Sequence, residues 1–236
     1  MQAREILINT LLMLLCYAYT LVLILVSGKM DRVLNIPRKS ARKFLHMMIG
    51  NLPFFIPFFT TNIFPTLIAG SFILVTFLAS PYSPFDNIGR RLKRLADITE
   101  EGHQLGLVFY AISYTFLALF FNPKPYVIAA GILPMAYGDA AASMVGEKYG
   151  RRKYKLVAEK SLEGSAAMFL VTFASFSASL AFFSVLYPLS PIDKILPALA
   201  VATVATLVEG FSPMGFDNLT VPAFSVLTFL MYGGGA

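Results

Sequence analysis

Eight runs of mostly apolar residues, at 6–26, 45–59, 63–79, 105–121, 126–145, 162–186, 195–208 and 219–232, decide the solvent in which this chain folds. A helix needs roughly 20 apolar residues to cross the hydrocarbon core of a bilayer, and its backbone polar groups must be satisfied within the helix itself. The runs at 45–59, 195–208 and 219–232 are short for that task. The reading is therefore an all-α polytopic membrane bundle of about eight helices, seven to eight, forming a single transmembrane domain over residues 1–236. Composition agrees, with 57% hydrophobic and 14% charged residues, far from the mix of a soluble domain.

Charge placement orients the bundle. All basic residues but Arg4, Lys124 and Lys194 fall in the segments after the first, third and fifth runs. Short loops rich in lysine and arginine stay on the cytosolic side, so the expected location is the cell membrane, multi-pass, with both termini outside. The net charge of +6 is then a topology signal and an attraction for anionic lipid or phosphate, and it implies no nucleic-acid partner. The second basic segment places Ile88, Leu92 and Leu95 on one side and Arg90, Arg91, Lys93 and Arg94 around the other. That pattern predicts a short amphipathic interfacial helix near 86–96. The single Cys16 excludes an internal disulfide and any cysteine metal cluster.

The chemistry-bearing residues gather at the inner ends of these runs. Asp139, Ser143 and Gly146 share one helical face at the end of the fifth run, where an anionic oxygen, a hydroxyl and bare backbone suit a metal and an approaching phosphate. Lys160, Ser161, Glu163, Gly164 and Ser165 open the sixth run, and a helix N-terminus favours an anion. There Glu163 either joins the chemistry or satisfies the helix end. The segment from Glu209 to Asn218 has two carboxylates and no cation, which a divalent metal with oxygen ligands would explain. Near the amino terminus Lys39, Arg42, Lys43 and His46 fall on one face. Two readings stay open for these cations: a fork for phosphate, or anchors at the lipid headgroups.

In that order, Arg42-Lys43 with His46, Gly138-Asp139-Ala140-Ala141-Ala142-Ser143 with Gly146 and Gly150, Lys160-Ser161-Leu162-Glu163-Gly164-Ser165, and Glu209 with Asp217-Asn218-Leu219-Thr220-Val221-Pro222 resemble the motifs of the polyprenol kinase family. That family includes dolichol kinase and phytol kinase and is related to the CTP-dependent phosphatidate cytidylyltransferases. The resemblance implies an integral membrane enzyme that phosphorylates an isoprenoid alcohol, usually with CTP, otherwise ATP, as phosphoryl donor and with Mg²⁺ or Mn²⁺ as metal. Carried onto this sequence, it gives Asp139, Glu209, Lys160 and His46 catalytic parts. Arg42, Lys43, Ser143, Gly146, Lys160, Ser161 and Gly164 would face nucleotide phosphates, and Asp139, Glu163, Asp217 and Asn218 would hold the metal. The partners expected are the lipid alcohol and the nucleotide, in a membrane-embedded protein compatible with a homo-oligomer. The alternatives are a CTP-dependent lipid cytidylyltransferase and a membrane transporter, although transport sites sit near the midplane and these acids cluster at one side.

The charge asymmetry is directly testable. Single cysteines at Ser83, Arg152 and Ser212 should react only with reagents that reach the cytosol, whereas one at Asn122 should label from outside. Outside labelling at position 152 would invert the topology and move the acidic motifs to the wrong face.

Overall fold

The structure is a computed structural model that describes residues 3–85, 105–213 and 215–234; the surface helix expected near 86–96 lies outside the described residues. The chain forms two compact units, Met1–Asn122 and Pro123–Ala236. The first unit contains α1 (Ala3–Leu34), α2 (Arg38–Ile49), a 3-10 helix (Leu52–Phe58), α3 (Ile63–Ala79) and α4 (Gly106–Phe121). The second contains α5, a continuous helix from Pro125–Tyr149, then β1 (Lys153–Lys155), β2 (Glu159–Ser161), α6 (Leu162–Phe183), α7 (Ile195–Phe211) and α8 (Asp217–Met231). Among the described residues three helices, α1, α5 and α6, are long and apolar enough to cross a membrane, and α3, α4, α7 and α8 are shorter apolar helices.

Helical periodicity sorts α1 into two surfaces. Asn9, Cys16, Thr20, Leu23 and Ser27 are buried, at spacings that keep them on one face, while Leu7, Leu11, Leu14, Leu21 and Val22 are exposed. Aliphatic side chains on the outer face of a long helix are what a lipid-facing surface requires.

The run at 45–59 departs from the expected continuous span. α2 ends at Ile49, Gly50 and Asn51 turn the chain, and Leu52–Phe58 wind as a 3-10 helix with Pro53 at its start and Pro57 inside. Proline has no N–H to give and its ring crowds the preceding turn, so an α-helix cannot run through this pair undisturbed. Side chains from α1 compensate the break. The Tyr19 hydroxyl donates to the Met48 carbonyl at 2.7 Å, and Asn9 clamps Thr60, donating to its hydroxyl at 2.6 Å and accepting its N–H at 2.9 Å. A third tie, from the Ser27 hydroxyl to the Ala41 carbonyl at 2.9 Å, fixes the start of α2 against α1.

In the second unit α5 is the central post. Val127, Ile128, Ala129, Ala130, Ile132 and Ala136 have no exposed surface at all, as befits a helix that is apolar on every side. Small residues let α6, α7 and α8 approach it closely, and Tyr126 closes one end in edge-to-face contact with Phe183, Tyr187 and Phe229. The ladder of α5 widens over Pro134–Gly138 into a π turn, where the N–H of Asp139 reaches the carbonyl of Pro134. Missing backbone donors at proline loosen the ladder, and single π turns of this kind recur where function needs a side chain re-aimed. The residue that follows is Asp139.

A second departure from the all-α expectation lies after α5. The basic segment after the fifth run and the residues read as opening the sixth form an antiparallel hairpin, with Lys153 opposite Ser161, Tyr154 opposite Lys160 and Lys155 opposite Glu159. Alternation is the cause: Tyr154 and Lys160 point to the protein side, and Lys153 and Glu159 pair in solvent at 2.6 Å.

Gly138 is pinned by packing, because a Cβ there would fall on the Thr172 hydroxyl and lie 3.3 Å from Met168 Cγ on α6. Gly138→Ala should lower the detergent melting temperature by the equivalent of about 1–3 kcal/mol, and Thr172→Ala in the same chain should restore most of it. Equal melting of Gly138→Ala and the wild type would show that α5 and α6 are not in this register.

Candidate active site

The site is assembled from three places in the second unit: the start of the lower half of α5, the second hairpin strand, and the turn between α7 and α8. Each contributes charge. Glu209 lies in the last turn of α7 with 2% of its surface exposed. A carboxylate there faces the negative end of the helix dipole, and burial adds a desolvation cost that only a cation or hydrogen bonds can offset. Lys160 supplies the cation: its ammonium donates to Glu209 Oε1 in a close ion pair.

Two more carboxylates act on the same lysine. Burial pulls the Lys160 ammonium down, but attraction to Glu209, and then to Asp139 and Asp217, more than offsets this and leaves it raised above the usual lysine value. A raised lysine contributes its full stabilisation at every pH below the unfolded value of 10.5 and loses it only as pH climbs through the higher folded value. Lys160 is therefore charged throughout the neutral range. Asp217, 7% exposed at the start of α8, feels repulsion from Asp139 and Glu209 and attraction from Lys160. Its Oδ1 also accepts the N–H of Asn218 at 2.9 Å, so the carboxylate sits at the favourable end of that helix dipole.

The backbone between α7 and α8 is built to bring Glu209 and Asp217 together. Gly215 has a positive φ of 85°, a conformation that side-chain-bearing residues avoid. The Ser212 hydroxyl bonds Thr220 at 2.6 Å across the turn. Gly210 leaves room for the Tyr154 hydroxyl, which a Cβ would meet at 3.2 Å, and that hydroxyl bonds Ser165 at 2.7 Å. Tyr154 thus seats the hairpin that carries Lys160. Sequence reasoning missed it; the only signal was the alternation of Lys153-Tyr154-Lys155.

The expected site residues divide. Asp139, Lys160, Glu209, Asp217 and Asn218 come together. Ser161 instead caps α6, its hydroxyl accepting the N–H of Gly164 at 3.1 Å. Gly146 and Gly164 form the close crossing of α5 and α6: a Cβ on Gly164 would lie 2.8 Å from the Ala142 carbonyl and 3.3 Å from Gly146 Cα. Glu163 accepts the backbone N–H of Arg152 with both carboxylate oxygens at 3.3 Å, steadying the hairpin entry. Ser143 donates to Glu147 at 3.0 Å one turn along the same helix. Arg42, Lys43 and His46 are half-buried on α2 in the first unit, where the His46 ring stands edge-on to Tyr110 at 4.5 Å.

The chemistry of the donors bears on a metal. Among the described residues, Asp139, Glu209 and Asp217 all act electrostatically on Lys160. Among the described residues no group of three or more His, Cys, Asp or Glu is close enough to hold a metal alone. Mg²⁺ does not need such a cage, since it is held by one or two carboxylates with substrate phosphates and waters completing its shell. Asp139 and Asp217, which act on each other electrostatically, are carboxylates of the kind such a partial site uses.

Comparison with known proteins extends this picture. No family model matches the chain, and no solved structure does. The phytol kinase of Synechocystis is 31% identical over 220 residues, covering 90% of this chain and 88% of that protein. The dolichol kinase of Saccharomyces cerevisiae is 31% identical over 80% of this chain, which spans 36% of that longer protein. Phytol kinase 1 of Arabidopsis thaliana, a chloroplast protein, is 30% identical over 59% of this chain and 49% of its own. Because the similarity to the Synechocystis protein takes in both units and nearly the full length of each chain, the chain belongs to the polyprenol kinase family, with phytol kinase and dolichol kinase among its relatives.

Proposed function

We propose that this protein is an isoprenoid alcohol kinase that transfers the γ-phosphoryl group of CTP to a lipid alcohol at the cytosolic face of the membrane. The observation that carries the reading is the half-buried Lys160 held among Asp139, Glu209 and Asp217, in a chain whose relatives are named phytol kinase and dolichol kinase. Phosphoryl transfer asks a protein to align attacking and leaving oxygens and to neutralise developing charge. Lys160 supplies positive charge beside the phosphates, and Glu209 holds it in place until the nucleotide competes for it. Asp139, Asp217 and Asn218 would hold a divalent metal, which would supply positive charge against the phosphates.

The step balances simply. The alcohol oxygen forms a bond to the γ-phosphorus, the bond from that phosphorus to the bridging oxygen breaks, and CDP leaves. The alcohol proton passes to a carboxylate of the cluster, Asp139 or Glu209. A loose transition state demands little of that base, so positioning carries most of the rate. The alcohol reaches the site through the apolar bundle, and the nucleotide comes from the cytosol.

Purified protein given γ-labelled CTP and a panel of phytol, geranylgeraniol and longer polyprenols should yield labelled prenyl phosphate and CDP. Release of pyrophosphate with a CMP-bearing lipid would establish cytidylyl transfer instead.

Lys160→Met should reduce turnover roughly tenfold or more, as one charge-assisted contact is worth about 1.5–3 kcal/mol, and should lower stability by stranding Glu209. Adding Glu209→Gln removes the stranded charge, so the double variant should melt near wild type yet stay inactive. An active double variant would make Lys160 a structural counter-ion.

Asp139→Asn should abolish transfer without lowering the melting temperature in the absence of Mg²⁺, because its repulsion of Asp217 is then gone. Asp217→Asn should insert normally, lose most turnover and require more Mg²⁺ for what remains. Wild-type activity of either variant at low Mg²⁺ would remove that residue from the metal.

A further inference from the structure

The first unit contains a cavity of about 70 Å³, opened by the broken second segment. Where a continuous helix would have filled the space, the 3-10 turn carries Leu52 and Ile56 along one wall, and α1, α3 and α4 form the others. The lining is almost wholly apolar. Its two threonines, Thr20 and Thr76, donate to carbonyls of their own helices, from Cys16 at 2.9 Å and from Phe72 at 2.7 Å, and so have their hydroxyls already satisfied. Tyr114 differs: it is 5% exposed, it lines the cavity, and its buried hydroxyl has no hydrogen-bond partner among the described residues. A buried hydroxyl left unpaired is costly, so this position calls for a ligand that combines hydrocarbon with one hydrogen-bonding group.

Size narrows the ligand. Since about 10–15 Å³ of such volume holds one water-sized atom, the cavity accepts roughly five or six of them, and bonded atoms fit more tightly than separate ones. A branched five-carbon unit with its hydroxyl is that large; a nucleotide or a sugar phosphate is not, and the lining has no cation to receive one. We propose that this cavity, lined by the first unit alone, holds the head end of the isoprenoid alcohol before it reacts, its first branched unit against Ala69, Ala111 and Phe72 and its hydroxyl hydrogen-bonded to Tyr114, and that the alcohol leaves it to meet the carboxylate cluster. The choice of an isoprenoid as ligand rests on the kinase reading. The remaining hydrocarbon would stay in the bilayer, so binding here would be insensitive to chain length.

Cys16 lines the same cavity and is the single cysteine of the chain, which gives a built-in reporter. The full protein in detergent is treated with a small apolar thiol reagent such as methyl methanethiosulfonate, without nucleotide, and modification of Cys16 is followed by mass. Geranylgeraniol at ten times its dissociation constant should slow the reaction about tenfold. Geraniol, with the same head and a shorter tail, should saturate to the same protection, and the matching hydrocarbon without a hydroxyl should protect much less. In Tyr114→Phe the alcohol and the hydrocarbon should protect alike. No slowing by geranylgeraniol at concentrations that saturate turnover, or equal protection by the hydrocarbon in the wild type, would overturn the proposal. Protection without phosphorylation would leave the pocket standing and sink the kinase reading; phosphorylation without protection would do the reverse.

Discussion

A carboxylate buried at the C-terminal end of a helix is among the arrangements a low-dielectric interior tolerates least, and Glu209 is placed there. What makes it tolerable is Lys160, and much of the second unit exists to deliver that lysine. The hairpin points Lys160 inward and its charged neighbours outward. Tyr154 seats the hairpin against Ser165 and the bare backbone of Gly210. Ser161 caps the helix that starts beside the lysine, and the α5 and α6 glycines let that helix lie close. The π turn then aims Asp139 at the same cation. Remove the ion pair and these devices would leave a cluster of like charges in an apolar wall.

The gathering of three acids about one lysine is what the reading we favour builds on. A protein seeking only stability would match one lysine to one carboxylate, or replace both by apolar side chains of the same volume at little cost. In that reading the ion pair would serve as a placeholder, with Glu209 holding Lys160 where phosphate oxygens could later compete for it.

The two units treat the membrane-like interior differently. The second is organised around α5, buried on all sides, so its tolerance for irregularity is confined to one π turn. The first accepts a broken segment between α2 and α3 and repairs it with hydroxyls and amides from α1. Freed carbonyls have no water to turn to in such surroundings, so Tyr19 and Asn9 are part of the backbone hydrogen-bond scheme as much as any helical rung. The same break opens the apolar cavity.

The sequence by itself determined the solvent, the helical class and the identity of the acids and the lysine, because hydrophobic run length and charge are summed over many residues and survive any arrangement of the helices. Seven of the eight runs are helices for that reason, and Asp139, Lys160, Glu209 and Asp217 stood out as charges at run ends. Tertiary structure alone decided which of those charges meet. Glu163 lies three residues from Lys160 yet serves the Arg152 backbone, while Glu209, 49 residues away, takes the lysine. Nor did the motifs distinguish Gly146, Gly164 and Ser161 as packing and capping residues, since a glycine that admits a phosphate and one that admits a neighbouring helix look alike in sequence. The hairpin was hidden because three-residue strands carry too little periodicity to register, and the break in the second run because Pro53 and Pro57 fix only that the helix is disturbed. Where a ladder breaks, and what satisfies the groups it frees, depends on side chains that the fold brings from other segments.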